Sequence, residues 1–199
     1  VGRTSDARQK ILGAARSLIE GRGYSALGVA EICKAAGVPK GGFSYFFESK
    51  EALALAVVDK HWAAQRWEWE TVLGTDADPL RRLRGLFEQT EAGQRAVQEG
   101  CGTVSGCLFG NLALELSNHA EPLRGRLQEI FDAQVDMVEA VVAEARDRGD
   151  ATVSHPREAA RAVVAQLEGQ VMFAKLYNSP QRLSPLWDNC RSLLGVAGS

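Results

Sequence analysis

The sequence predicts an all-α protein of about nine helices, three short ones followed by about six longer ones. Three observations carry this. Apolar residues recur at helical spacing along most of the chain, no stretch keeps up a two-residue alternation, and helix-stopping glycines and prolines fall between the periodic segments. In the first helix Ile11, Leu12, Ala15, Leu18 and Ile19 form one apolar face. Ser5 or Asp6 is its expected cap and Gly21 or Gly23 its end. A second helix is expected over 28–36, closed by Gly37 in a left-handed cap. Pro39 then opens a short third helix over 39–46, since a first turn needs no N–H there.

Ser49 caps a long fourth helix to about residue 71, and Asp78 with Pro79 opens a fifth to about residue 98. Residues 99–106 read as a loop and 107–117 as an apolar helix. Further helices follow over about 122–148, 156–177 and 182–194.

The bulk composition fits one or two globular domains. The 199 residues are 45% hydrophobic and 24% charged. No apolar run approaches the ~20 residues a membrane span needs, and residues 1–20 lack a leader's apolar stretch. A cytoplasmic protein is expected. The net charge is −2, but residues 1–50 hold eight Lys/Arg against four acids, a surplus of +4 on an otherwise acidic chain. That asymmetry suits a basic contact surface. Cys33, Cys101, Cys107 and Cys190 form no C-x-x-C pair, and His61, His119 and His155 are scattered. No metal or cofactor is expected.

The stretch "AAGVPKGGFSYFFESKEAL" (Ala35–Leu53) places a proline and three glycines inside helical sequence. Two helices joined by a turn at Gly37 make a helix-turn-helix, whose second helix reads the DNA major groove. An ordinary helical hairpin shares the same spacing. In the DNA reading, Gly41 and Gly42 let the backbone approach. Phe43, Phe46 and Phe47 pack inward, and Lys40, Ser44 and Tyr45 face out. Ser49 and Lys50 stand at a helix N-terminus, suited to phosphate.

"ILGAARSLIEGRGYSALGVAEICKAAGVPKGGFSYFFESKEAL" (Ile11–Leu53) resembles the DNA-binding domain of the TetR family of bacterial repressors, in register through Gly23–Tyr24, Ile32, Ala35–Val38, Lys40–Gly41, Phe47 and Ser49–Leu53. The chain departs from the family pattern where Leu27 and Gly28 replace the Ser or Thr that caps the second helix, and at Gly42, Ser44 and Tyr45. The resemblance implies a helix-turn-helix domain over 1–48 and a ligand-binding and dimerisation domain over 49–199. The protein would then be a regulator, a repressor released from its double-stranded DNA operator by a small-molecule effector. Lys40, Tyr45 and Lys50 are the implied DNA contacts, with Arg3 and Thr4 as an arm.

The resemblance also implies a homodimer through the last two helices. Ala160, Val163, Val164, Leu167, Val171 and Ala174 form a stripe that suits either a partner subunit or packing within one subunit; the partner is the expectation. "GCLFGNLALELS" (Gly106–Ser117) resembles a subset of the family that responds to acrylate or reactive electrophiles. Cys107 starts a helix, which favours thiolate, and Cys101 lies six residues away. A small buried thiol without chemistry is the other reading. Asn111 and Glu115 continue a polar stripe from Cys107. Trp62 and Trp69, seven apart on the fourth helix, share a face, with Phe131, Gln170 and Phe173 as further pocket candidates or core. The glycine-rich run 100–107 lacks both a P-loop's Lys-Ser/Thr and a hydrolase elbow, so no enzyme is expected.

Overall fold

Glycine, proline and short polar caps set the helix ends. In the computed structural model, which describes residues 2–116 and 120–196 (the backbone alone for 2–5), the first helix, α1 (Gly2–Arg22), is followed by Gly23 at φ 80°. It begins ahead of the expected Ser5 or Asp6 cap. α2 (Val29–Ala36) ends at Gly37, φ 66°, whose N–H reaches the Lys34 carbonyl at 3.2 Å while the Val38 N–H reaches that of Cys33 at 3.0 Å. Pro39, φ −62°, leads into α3 (Lys40–Phe46). The Ser49 hydroxyl accepts the Ala52 N–H at 3.0 Å and starts α4 (Lys50–Leu73). The Asp78 carboxylate accepts the Arg81 N–H and Pro79 opens α5 (Pro79–Cys101). α6 (Leu108–Leu116), α7 (Glu121–Asp147), α8 (Pro156–Leu176), a 3-10 turn (Pro180–Leu183) and α9 (Leu186–Leu193) complete the order.

Two helix ends differ from expectation. α5 runs through Gly100 and stops at Gly102, which takes the left-handed conformation (φ 82°) and gives its N–H to the Gln98 carbonyl. Cys101 is therefore helical. The helix expected over 182–194 is split at Pro185, whose missing N–H separates the 3-10 turn from α9.

The chain forms two compact units. The smaller comprises the chain through Ala63 and Leu108–Gln128; the larger comprises Ala64–Cys107 and the chain from Glu129 onward. In the smaller unit α1 packs on α2 and α6. Its buried residues include Ile11, Ala15 and Ile19, Ile32 and Phe43, Val57 and Val58, and Phe109 and Leu112. Burying each large apolar side chain contributes ~1.5–3 kcal/mol.

The larger unit centres on Trp69, Leu83, Leu86, Val138, Val142, Val163, Leu167 and Leu186. Arg157 ties α8 to α7 through Asp136 and Glu139, each at 2.7 Å.

The stripe Ala160, Val163, Val164, Leu167, Val171 and Ala174 lies wholly in this core. The expectation that it meets a second subunit is corrected: the most apolar face of α8 is used within its own unit. The face left outside carries Ala165, Gly169, Met172, Phe173 and Leu176, with Leu176 71% exposed. Among the described residues no helix is long and apolar enough to cross a membrane.

Candidate functional site

α3 turns its small and polar residues outward. Phe43 and Phe47 are buried with ring centroids 5.8 Å apart, and the Arg8 guanidinium lies 5.3 Å over Phe47. Phe46 is only half-buried. It takes the edge of Tyr45 at 4.9 Å, so the inward aromatic face has two members, not three. Lys40, Gly41, Ser44 and Tyr45 are exposed, Tyr45 by 75%. A Cβ placed on Gly41 or Gly42 would meet nothing within 4 Å. No internal crowding requires these glycines; what they remove is bulk on the outer surface. The side chains of Arg3 and Thr4 lie outside the described residues.

Beside α3, a network holds the Gly23–Gly28 loop. The Lys50 ammonium donates to the carbonyls of Tyr24 (3.1 Å) and Leu27 (2.9 Å) and lies 4.1 Å from the Tyr24 ring centroid. The Glu115 carboxylate, from α6, accepts the N–H groups of Tyr24 (2.9 Å) and Ser25 (2.6 Å). Burial alone would raise the Glu115 carboxyl. The Ser25 hydroxyl and the two N–H donors, with Lys50 nearby, outweigh it and hold its pKa below the ordinary carboxylate value. Gly28 gives α2 no side-chain cap. The loop before α2 is tied from a distant helix instead.

The nominated effector residues divide between the units. In the smaller, Trp62 is buried with its ring edge-on to Phe109 at 6.1 Å, and His61 lies 5.1 Å from Phe109. Burial, with Arg16 nearby, pushes the His61 imidazole down to about 4. Asn111 is half-buried on α6. In the larger unit Trp69 is core, Phe131 packs at the core's edge, Gln170 is half-buried and Phe173 is largely outside. A groove of about 350 Å³ in this unit is lined by Arg84, Phe87, Trp187 and Arg191 among others, and by none of the nominees.

Gln134 escaped the sequence reading because an amide on a helix reads as surface. It is buried, gives Nε2 to Gln65 at 3.0 Å, and leaves its Oε1 unpartnered.

Cys107 is half-buried and directly precedes α6. Gly106 before it is left-handed (φ 78°) and clamped by Gln94, which accepts its N–H at 3.1 Å and donates to its carbonyl at 3.0 Å. A Cβ on Gly106 would stand 2.8 Å from the Lys175 side chain. Asn178 accepts the Val104 N–H (2.8 Å) and donates to the Gly102 carbonyl (3.0 Å), bracing the same turn. Burial raises the Glu168 carboxyl above the ordinary carboxylate range, partly offset by the Cys107 thiol. Cys190, by contrast, is buried and its thiol is pushed up to about 12. Cys101 is exposed and its thiol donates to the Val97 carbonyl at 3.1 Å. Among the described residues no group of His, Cys, Asp and Glu could hold a metal ion.

Known proteins share this plan. Residues 11–57 match the family described as bacterial regulatory proteins, tetR family. Residues 79–188 match the family described as tetracyclin repressor-like, C-terminal domain. The HTH-type transcriptional repressor NemR of Escherichia coli K12 is 28% identical over 195 residues, covering 96% of this chain and 95% of NemR. The transcriptional regulator AcuR of Cereibacter sphaeroides is 31% identical over 180 residues, covering 89% of this chain and 80% of AcuR. The crystal structure of the reduced form of E. coli NemR superposes with a TM-score of 0.82 at 26% identity, covering 96% of this chain and all of that one. With an all-α fold, a helix-turn-helix whose second helix faces outward, and both family domains matched, the chain belongs to the TetR family and is a transcriptional regulator.

Proposed function

We propose that the chain is a cytoplasmic repressor that holds an operator as a homodimer and is released when a small molecule acts on its larger unit. The observation that carries this is the outer surface of α3: Lys40, Gly41, Gly42, Ser44 and Tyr45 form an open face beside a firmly tied loop. A polyanion with a groove is the natural partner of such a face. The exposed line of Ala165, Met172, Phe173 and Leu176 on α8 supports pairing with a second copy, which would bring two reading helices to a two-fold operator. A gel-shift titration with duplex DNA flanking the protein's own gene tests the reading. A dimer-stoichiometry complex that weakens steeply with salt is expected; no complex at low salt would sink it.

A second reading concerns how release occurs. The half-buried Cys107, on a turn braced by Gln94 and Asn178 at the start of α6, favours covalent capture of an electrophile by its thiol. Cys107→Ser should keep operator binding and lose release by acrylamide. Release of this variant as readily as the parent would leave non-covalent binding as the mechanism.

A further inference from the structure

Building on the reading that α3 enters the operator's major groove, we propose that Arg8 and Lys34, together with Lys40, form the phosphate clamp of that site, and that Lys50 takes no part in it. The distribution of partners over the helix-turn-helix carries this. On α1, Lys10, Arg16 and Arg22 are ion-paired with Asp6, Glu20 and Glu31. A cation already matched by a carboxylate displaces fewer counterions from DNA. Lys50 keeps its charge, but its N–H donors are turned onto the Tyr24 and Leu27 carbonyls of its own unit. Among the described residues through Lys50, the cations left without an acid partner are Arg8, Lys34 and Lys40, one on each of α1, α2 and α3. All are exposed.

Their places bracket α3. Lys34 and Lys40 stand on either side of the Gly37 turn, at the start of the helix. Arg8 reaches its other end, where the guanidinium lies 5.3 Å over the ring of Phe47, the first residue past α3. The acids nearest to it in sequence and at that ring leave its charge free: Asp6 holds Lys10 at 2.7 Å, and no ion pair joins Arg8 to Glu48. A guanidinium over a ring still has its N–H edge to offer a phosphate. Seven residues at ~1.5 Å each set the ends of α3 about 10 Å apart, close to the ~12 Å width of the major groove. Cations at the two ends can therefore meet phosphates on the two walls of the groove, while Gly41, Ser44 and Tyr45 face the bases between them.

Salt titration of binding in the full chain tests this, read by fluorescence anisotropy on a labelled duplex from the DNA flanking the protein's own gene. Arg8→Gln and Lys34→Gln should each flatten the slope of log affinity against log salt by about one per subunit, and the double variant by about two. Arg8→Lys keeps the charge and gives up the guanidinium plane, so it should hold the parent slope. Lys50→Gln should lower affinity through its loop and leave the slope unchanged. The ion-paired Arg16 serves as reference, and Arg16→Gln should change neither. A parent slope in Arg8→Gln or Lys34→Gln overturns the clamp, as does a flattened slope in Lys50→Gln. An equal flattening in Arg16→Gln also overturns it, since the slope would then follow net charge and not particular contacts. A slope in Arg8→Lys as flat as in Arg8→Gln overturns the part given to the Arg8 charge and leaves packing on Phe47 as its role. A parent that binds no duplex at low salt overturns the operator reading itself, and the clamp with it.

Discussion

α3 and α8 each leave one face uncovered, and the two faces have opposite chemistry. On α3 the open residues are a lysine, two glycines, a serine and a tyrosine. On α8 they are an alanine, a methionine, a phenylalanine and a leucine. A surface for a hydrated polyanion is kept low and polar, so that charge and backbone do the binding. A surface for a protein copy keeps bulk that gains by leaving water. Exposure alone does not name a partner; what is exposed does.

The largest test of this contrast is on α8. Phe173→Asp with Leu176→Asp should split the dimer and lower operator affinity by about two orders of magnitude, because two linked readers become one. Sedimentation and gel-shift would report it, and a variant that stays dimeric would place the subunit interface elsewhere.

A smaller loss, about 10-fold in operator affinity, is expected from Glu115→Ala. Two loop N–H groups lose their acceptor, at about 1–3 kcal/mol. The pH dependence has a definite sign. The Glu115 carboxyl is lower in the folded protein than unfolded, so its stabilisation is complete above the ordinary carboxylate range and is lost as pH falls through the folded value. Acid titration of thermal stability should show less of this loss in Glu115→Gln; equal curves would remove Glu115 as the tie.

Gly42→Ala sharpens the contrast by splitting two readouts. It should raise thermal stability by about 0.5–1 kcal/mol through helix propensity while weakening operator binding several-fold, since the added methyl meets only open space in the free protein. Unchanged binding would mean the backbone does not approach DNA there. The smallest effect belongs to Lys40→Ala, which should reduce the slope of log affinity against log salt by about one, with sequence preference kept. An unchanged slope would place Lys40 away from phosphate.

The helix-turn-helix was legible because its signals are local. Gly37, Pro39 and Ser49 act on neighbours within four residues, and each does what its position implies. The ends of α5 and α9 were misplaced where two stop signals lay close together, as with Gly100 and Gly102. The α8 stripe shows a different limit. Periodicity reveals an apolar face but not whether the covering surface belongs to the same chain. Glu115 and Asn178 act across tens of residues and Gln94 across twelve, and nothing in their local spacing announces the groups they hold. The ammonium of Lys50, a residue whose place at a helix N-terminus suits phosphate, donates to two carbonyls of its own unit.

The tie at Glu115 has a consequence for synthesis. Its carboxylate reaches Tyr24 from 91 residues downstream. At ~5–20 residues per second, a nascent chain waits roughly 5–20 s between making the loop and making its acceptor. During that interval α1, α2 and α3 exist without Glu115, and α1 without α6 packed against it. A chain still on the ribosome at residue 63 carries every residue of α3 but neither the Glu115 acceptor nor α6. If α3 reads the operator as proposed, occupancy is expected to begin only once α6 has been made, and fragments cut short of it should compete poorly for the same DNA.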